Sequence, residues 1–338
     1  LKKYSIAIIG GGIIAEAHLQ AMDSVEQAQA VAIAETSERR LAELHKKYAG
    51  LKLYTDYGEL LARERPDIAI ITLPHFLHRE AAIRAAQAGC HILLEKPMAL
   101  NTRECDEIIA AVEASGVRML VGHTQHYFPE NRAVKAATRS GELGRLVMIS
   151  DTRHLNYFRA NRPDWFLHKA LSGGGIMMNL GSHSIDKLLW FTDSPIVSVK
   201  AGLTFFGDRG DVEGSGVVML QHESGVCSSI VQSGYRGSPS NVTELSFTEG
   251  RIRLQTGVGA WISRGDADYE PLVPSDQANP MALQIRDLIA SIETGREPLC
   301  TMAYSRAIIE VVEALYRSHE TGREVVLAGA GQPSRQAK

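Results

Sequence analysis

The strongest constraint on this chain is a run of glycines set between an apolar strand and a helix. YSIAII (Tyr4–Ile9) leads into Gly10-Gly11-Gly12-Ile13-Ile14-Ala15, and the pattern then turns helical through AEAHLQAM. Gly-x-Gly-x-x-Ala in that setting folds a strand tightly back into a helix. Gly10 permits the turn, Gly12 removes a side chain where a pyrophosphate comes close, and Ala15 keeps the helix near the sheet. The first N–H groups of the helix, at its positive end, then face an anion. Ile13 and Ile14 sit in the mouth of the turn and count with Gly10 and Gly12 as cofactor contacts.

The next strand, AVAIAE, ends on Glu35. An acid about 20 residues beyond the glycines accepts bonds from a ribose 2′-hydroxyl and repels a 2′-phosphate. The expected cofactor is therefore NAD, with NADP as the alternative if Arg39 or Arg40 holds that phosphate. Further strands, DIAIIT, HILLE and VRMLV, alternate with helical stretches as far as Gly122. Apolar runs of this kind are buried on both faces and imply a parallel sheet with right-handed crossovers. Ligands bind outside the carboxyl ends of such strands. Thr72, Leu73, Pro74 and His75 leave one strand there, with His78 just beyond, and Glu95-Lys96-Pro97 leave another. All of these are expected at the cofactor.

Beyond Gly122 the pattern changes. Helical stretches at Pro129–Ser140 and Met177–Phe191 flank the strand RLVMIS, and VSVKAGLTFF, GSGVVMLQH, GVCSSIVQS, VTELSFT and RIRLQT follow between turns. These predict a large, mostly antiparallel open sheet. Two helices, near Met281–Thr294 and Tyr304–Thr321, close the chain. A length of 338 residues fits two domains. The expected division is an α/β Rossmann domain over 1–122, an α+β substrate-binding and oligomerisation domain over 123–328, and a flexible tail over 329–338.

A net charge of -3 gives no reason to expect nucleic acid or an anionic membrane as partner. No apolar run is long enough to span a bilayer. Leu1-Lys2-Lys3-Tyr4 enters a strand without the features of a signal peptide, and the four cysteines are scattered, so a cytoplasmic location is expected. Neither a Cys-x-x-Cys nor a His-Glu-x-x-His spacing is present, and no metal is expected.

For chemistry, Lys96 stands at the ligand edge, where a lysine can donate to a carbonyl or hydroxyl and stabilise developing negative charge. Glu95 can orient it. In Gly173-Gly174-Gly175-Ile176-Met177-Met178-Asn179-Leu180-Gly181-Ser182-His183-Ser184-Ile185-Asp186, helical spacing puts Asn179, His183 and Asp186 on one face. His183 is the member suited to proton exchange near neutral pH. Asn179 can hold a hydroxyl but not act as a base. A polar and aromatic stretch that includes His126, Tyr127, Arg153 and Trp165 suits a hydroxyl-rich ligand.

GGGIIAEAH (Gly10–His18), EKPMA (Glu95–Ala99) and GGGIMMNLGSHSID (Gly173–Asp186) together resemble the Gfo/Idh/MocA family, over about residues 3–328. The resemblance implies hydride transfer between a nicotinamide and a secondary hydroxyl of a sugar, cyclitol or related polyol. It also implies a homodimer or homotetramer, often formed through the large sheet. It maps the family's substrate-contacting lysine onto Lys96 and its catalytic histidine onto His183. The aspartate that commonly stands four residues before that histidine is Asn179 here, and a family arginine is replaced near His126. The alternatives are a redox-neutral, NAD-assisted lyase or glycosidase, and a non-catalytic dinucleotide sensor or partner subunit.

Overall fold

The computed structural model describes residues 2–327, so the expected tail at 329–338 lies outside the described residues. The chain forms two compact units. One comprises the chain up to Tyr127 together with Ala278–Arg306; the other comprises Phe128–Gln277 and the chain from Ala307 on.

The first unit runs β1 (Tyr4–Ile9), α1 (Ile13–Met22), β2 (Ala28–Ala34), α2 (Glu38–Lys47), β3 (Lys52–Tyr54), α3 (Tyr57–Glu64), β4 (Ile68–Ile71), α4 (His78–Gln87), β5 (His91–Glu95), α5 (Thr102–Ser115) and β6 (Met119–Gly122). The strands lie in the order β3-β2-β1-β4-β5-β6, and every pairing is parallel. Strand order reverses between β1 and β4, which places the ligand crevice of this fold at their carboxyl ends. The continuous apolar runs are buried as expected: Ile6, Ile8, Ile68, Ile70 and Leu93 are at most 1% exposed. β3 and α3 were not anticipated, because a three-residue edge strand carries no readable alternation.

Ala282, Ile285, Leu288 and Ile289, on the helix Pro280–Thr294, join the core of this unit with Leu19, Met22 and Tyr127. The expected break into 1–122 and 123–328 therefore differs from the division observed. The chain returns, because the apolar stripe of that helix is covered by the first unit's core.

The second unit holds α6 (Pro129–Ser140), β7 (Leu146–His154), α7 (Lys169–Ser172), a π turn (Met177–Gly181), α8 (Ser182–Thr192), β8 (Ile196–Thr204), β9 (Ser215–His222), β10 (Cys227–Ser233), β11 (Ser240–Phe247), β12 (Gly250–Gln255), β13 (Gly259–Arg264), β14 (Glu270–Pro271) and β15 (Val325–Val326). Pro280–Thr294 is α9. Met302–Thr321 is α10, most of which belongs here. One sheet of nine strands takes the order β14-β13-β12-β11-β7-β10-β9-β8-β15. Only β7 and β10 pair in parallel. Alternation sets its two faces. Ile149, Val218, Leu220, Ile230 and Leu245 are fully buried, while Val147, Met148, Val217 and Met219 are exposed.

Candidate active site

In the first unit, the glycine turn is required by contact and by backbone. Gly10 has φ +101, and a Cβ there would stand 2.9 Å from the Thr72 carbonyl oxygen. Thr72 closes the turn from the next strand, its Oγ1 donating to the Gly10 carbonyl at 2.7 Å. A Cβ on Gly12 would meet nothing within 4 Å. Gly12 is the N-cap of α1, and no side chain caps that helix. Open space in front of uncapped N–H groups is the cradle a pyrophosphate needs, so the residues present fit a dinucleotide. Ile13 is 84% exposed beside it.

Glu35 follows β2 directly. Its carboxylate accepts from the Gly11 N–H at 2.8 Å and from the Ser37 N–H at 2.9 Å, which holds it at the turn. Arg39 points away: its side chain is 88% exposed, with Glu43 at 3.9 Å. The arginine at the turn is Arg40, whose Nε donates to the Gly11 carbonyl at 2.6 Å and whose other nitrogens meet Glu16 and Glu43. Its guanidinium is thus engaged within the protein.

At the next strand end the structure separates structural from available groups. His78 is fully buried, with Nδ1 2.8 Å from the Pro97 carbonyl and Nε2 2.9 Å from the Leu73 carbonyl. Burial pushes its pKa down, outweighing both carbonyls. His78 was expected at the cofactor; instead it is buried between the carbonyls of two loops of the ligand edge, and its neutral ring donates to one of them. His75 is also buried, with its ring 5.7 Å from that of His78.

Glu95 is fastened to α1. Its Oε1 lies 2.9 Å from Nε2 of His18, a fully buried residue of α1. Burial alone would raise the Glu95 pKa, but the His18 hydrogen bond, with the charges of His18, Lys96 and His78, holds it low. Lys96 is half-buried, and the Lys96–Pro97 peptide is cis. His18 was missed in the sequence. The signal was there, since it shares the buried face of α1 with Ala15, Leu19 and Met22.

Two residues expected at the substrate are core. Tyr127 is 3% exposed and donates its hydroxyl to Asp287 at 2.8 Å. Burial pushes that phenol far up. His126 is buried edge-on to Tyr304, with ring centroids 5.3 Å apart.

In the second unit, the expected single helix from Met177 begins instead as a π turn. Such turns carry a wider repeat and recur at functional sites. The even spacing assumed for Asn179, His183 and Asp186 therefore does not hold across Gly181. Asn179 and Asp186 are buried and His183 is half-buried. The glycines before the turn are forced by close approach. A Cβ on Gly175 would stand 2.1 Å from the Glu213 carbonyl oxygen, and one on Gly174 would strike the Tyr316 hydroxyl. Glu213, which nothing in the sequence marked, seats its buried carboxylate against the start of the turn. It accepts from the N–H groups of Gly175 and Met177, each at 2.9 Å, and from the Tyr316 hydroxyl at 2.8 Å. An anion there suits the positive helix end, although burial still raises its pKa.

α8 is fastened to the sheet by a buried ion pair. Lys187 donates to Asp151 at 2.5 Å and to the Thr243 hydroxyl at 2.7 Å; Ser184 also donates to Asp151 and accepts from Gln232 at 2.8 Å. Burial would raise the Asp151 pKa, but the Lys187 charge and the donated hydrogen bonds hold it below the usual range. These contacts begin one residue after His183 and hold α8 against β7, β10 and β11. Trp165 is stacked on Phe166, and the segment is braced by Arg162. That guanidinium lies 3.9 Å over the Tyr157 ring and 5.0 Å from the Phe166 ring. Burial pushes the Tyr157 phenol up to about 12. Arg153 is half-buried on β7.

Two family profiles match the chain. Residues 4–123 match the oxidoreductase family with NAD-binding Rossmann fold, and residues 131–253 match the GFO/IDH/MocA C-terminal domain. The chain is 28% identical to D-apiose dehydrogenase of Paraburkholderia graminis, over 97% of this chain and 90% of that protein. The crystal structure of aldose-aldose oxidoreductase from Caulobacter crescentus, complexed with glycerol, superposes with a TM-score of 0.89 at 25% identity, covering 96% of this chain and 100% of the other. Levoglucosan dehydrogenase in complex with NADH and levoglucosan shares the fold, with a TM-score of 0.88 at 19% identity, covering 97% and 100%. With both domains matched in order and the glycine turn built to take a dinucleotide, the chain belongs to the Gfo/Idh/MocA family of NAD-binding oxidoreductases.

Proposed function

We propose that the protein is an NAD-dependent dehydrogenase that oxidises a secondary hydroxyl of a sugar, cyclitol or related polyol, or reduces the matching carbonyl. The observation that carries this is the glycine cradle, open at Gly12, on the same sheet edge as Lys96. The relatives named for D-apiose and aldose substrates support the polyhydroxylated class. Bound NAD supplies the hydride acceptor. Lys96 donates to the substrate oxygen and stabilises the charge that gathers on it. His183 takes the hydroxyl proton, so the alcohol loses one hydride and one proton and becomes a carbonyl. Asn179 and Trp165 contact the substrate as donor and aromatic face. Asp186, expected at the substrate, is fully buried on α8 three residues beyond His183 and acts as a positioning residue for it.

Polyols and cyclitols should be screened with NAD and NADP at the absorbance of the reduced cofactor, with products analysed alongside. Net NADH formation is expected. Redox-neutral turnover would favour a lyase or glycosidase, and saturable NAD binding with no turnover of any substrate would favour a sensor.

Glu35 underlies the preference for NAD. Its carboxylate is held at the turn by two backbone N–H groups, and Arg40 beside it is engaged by Glu16 and Glu43. Glu35→Gln keeps an acceptor there and removes the charge. The NADP/NAD ratio of kcat/KM should rise roughly tenfold, the effect of about 1.4 kcal/mol of lost repulsion. An unchanged ratio would remove Glu35 from cofactor choice.

The exposed row Val147, Met148, Val217 and Met219 on the outer sheet face supports a homodimer or homotetramer. Sedimentation equilibrium that returns a monomer at micromolar concentration would reject it. Among the described residues no helix is long and apolar enough to cross a membrane.

A further inference from the structure

The inner face of the nine-stranded sheet carries a cation that the protein does not match. Arg153 lies two residues beyond Asp151 on β7, and so on the same face, opposite Gln232 of β10 and Asn241 of β11. The charge of Asp151 reaches Arg153, but both Asp151 oxygens are already committed. Oδ1 accepts from Lys187 and Thr243, and Oδ2 accepts from Ser184. Among the described residues no hydrogen bond or ion pair reaches the Arg153 guanidinium. Burial disfavours its charged form, yet a guanidinium keeps its proton at any physiological pH. A half-buried cation in that state gains most from an ionised acceptor, whose charge-assisted hydrogen bonds are about twice as strong as neutral ones.

Its neighbours narrow the choice. Gln232 Oε1 and Asn241 Oδ1 are buried acceptors with no hydrogen-bond partner. One N–H of the Gln232 amide is given to Ser184, and its Oε1 is left as the unpaired atom of this side chain. Two acceptors beside one cation call for a ligand with hydroxyl donors and a single negative charge. A carboxylate matches the planar fork of one arginine in two parallel bonds. A phosphate monoester brings nearly twice the charge, and no second cation stands in this row. Ser184, which bonds Gln232 and Asp151, directly follows His183 in α8, so the same helix carries His183 and anchors this row.

We propose that Arg153, with Gln232 and Asn241, forms a subsite for a carboxylate and its neighbouring hydroxyl, so that the substrate is a sugar acid rather than a neutral sugar. This deepens the dehydrogenase reading and rests on it for the identity of the reacting group. Arg153 sets which substrate is held; it does not transfer the proton.

The test is calorimetric titration of the NAD-loaded protein with matched pairs: D-glucuronate against D-glucose, and D-gluconate against D-sorbitol. At least one acid should bind about ten- to a hundredfold more tightly than its neutral partner, as expected for one bidentate charge-assisted contact. Arg153→Gln should bring that ratio close to one, and Arg153→Lys should retain part of it. Unchanged circular dichroism and melting midpoint establish that the variants fold. Equal affinities within both pairs, a preference that survives Arg153→Gln, or no binding of any of the four compounds overturns the proposal. The two readings fail separately. Acid-selective binding without NADH formation leaves the subsite and removes the dehydrogenase. NADH formation from neutral sugars as readily as from acids does the reverse.

Discussion

Lys96→Ala should lower kcat by about 10²–10³-fold, the usual effect of deleting one donor to a developing oxyanion. NAD binding should change little. The cradle is built from Gly10, Gly12 and the α1 N-terminus, with Glu35 at the adenosine end, and none of these relies on the Lys96 ammonium. The backbone that carries Lys96 is held independently of its side chain. His78 is buried between the Pro97 and Leu73 carbonyls, and Glu95 is fastened to His18. The substitution should therefore remove an ammonium group and leave the loop in place. Steady-state NADH formation with calorimetric titration of NAD separates the two effects. Turnover that survives intact would show that the reacting oxygen is stabilised elsewhere. His183→Asn serves as the companion. If His183 moves the proton, it costs about 10²–10⁴-fold and abolishes the acid limb of the kcat/KM profile.

The largest loss of stability should come from Lys187→Met. Asp151 is fully buried and Lys187 is 3% exposed, so the substitution strands a carboxylate away from water. Breaking such a pair costs about 3–5 kcal/mol, whereas replacing both partners with apolar groups is often neutral or better. Asp151→Leu with Lys187→Met should thus be more stable than Lys187→Met alone.

The pH dependence has a definite sign. In the native protein the Asp151 pKa is depressed, so its contribution is present above the unfolded value of about 3.9 and is lost as pH falls through the folded value. Without Lys187 the desolvation that already opposes ionisation prevails, and the folded pKa rises above the unfolded one. The variant's penalty then grows as pH rises and fades in acid. Denaturant midpoints of the two proteins, followed from about pH 8 down to about pH 3 across the unfolded carboxylate value, should draw together toward the acid end. Parallel curves would show that Asp151 is not the group stranded.

The cofactor half of the protein was legible because it rests on local rules. A tight turn needs Gly10, a close phosphate needs Gly12, and doubly buried parallel strands need uninterrupted apolar runs; each leaves a mark within a few residues. His18 was half-legible: the helical repeat put it on the buried face, but its partner Glu95 stands 77 positions further along the chain. Arg39 and Arg40 could not be told apart by spacing, and packing of α2 turned only the second toward Gly11. His78, Tyr127 and His126 carry side chains equally at home in a site or a core, and composition does not say where their hydrogen-bond partners come from. Leu73 and Pro97, Asp287, and Tyr304 supply them from separate segments.

The π turn before α8 and the seating of Glu213 under it are of the same kind, since residues 36 and 38 positions apart make the contact. So is the row that leaves Arg153 without a partner, because only strand pairing brings Gln232 and Asn241 to its sides. Turns and periodicity are short-range and survive in a linear string. Burial, pairing and the matching of charge are long-range, and they exist only once the chain has closed on itself.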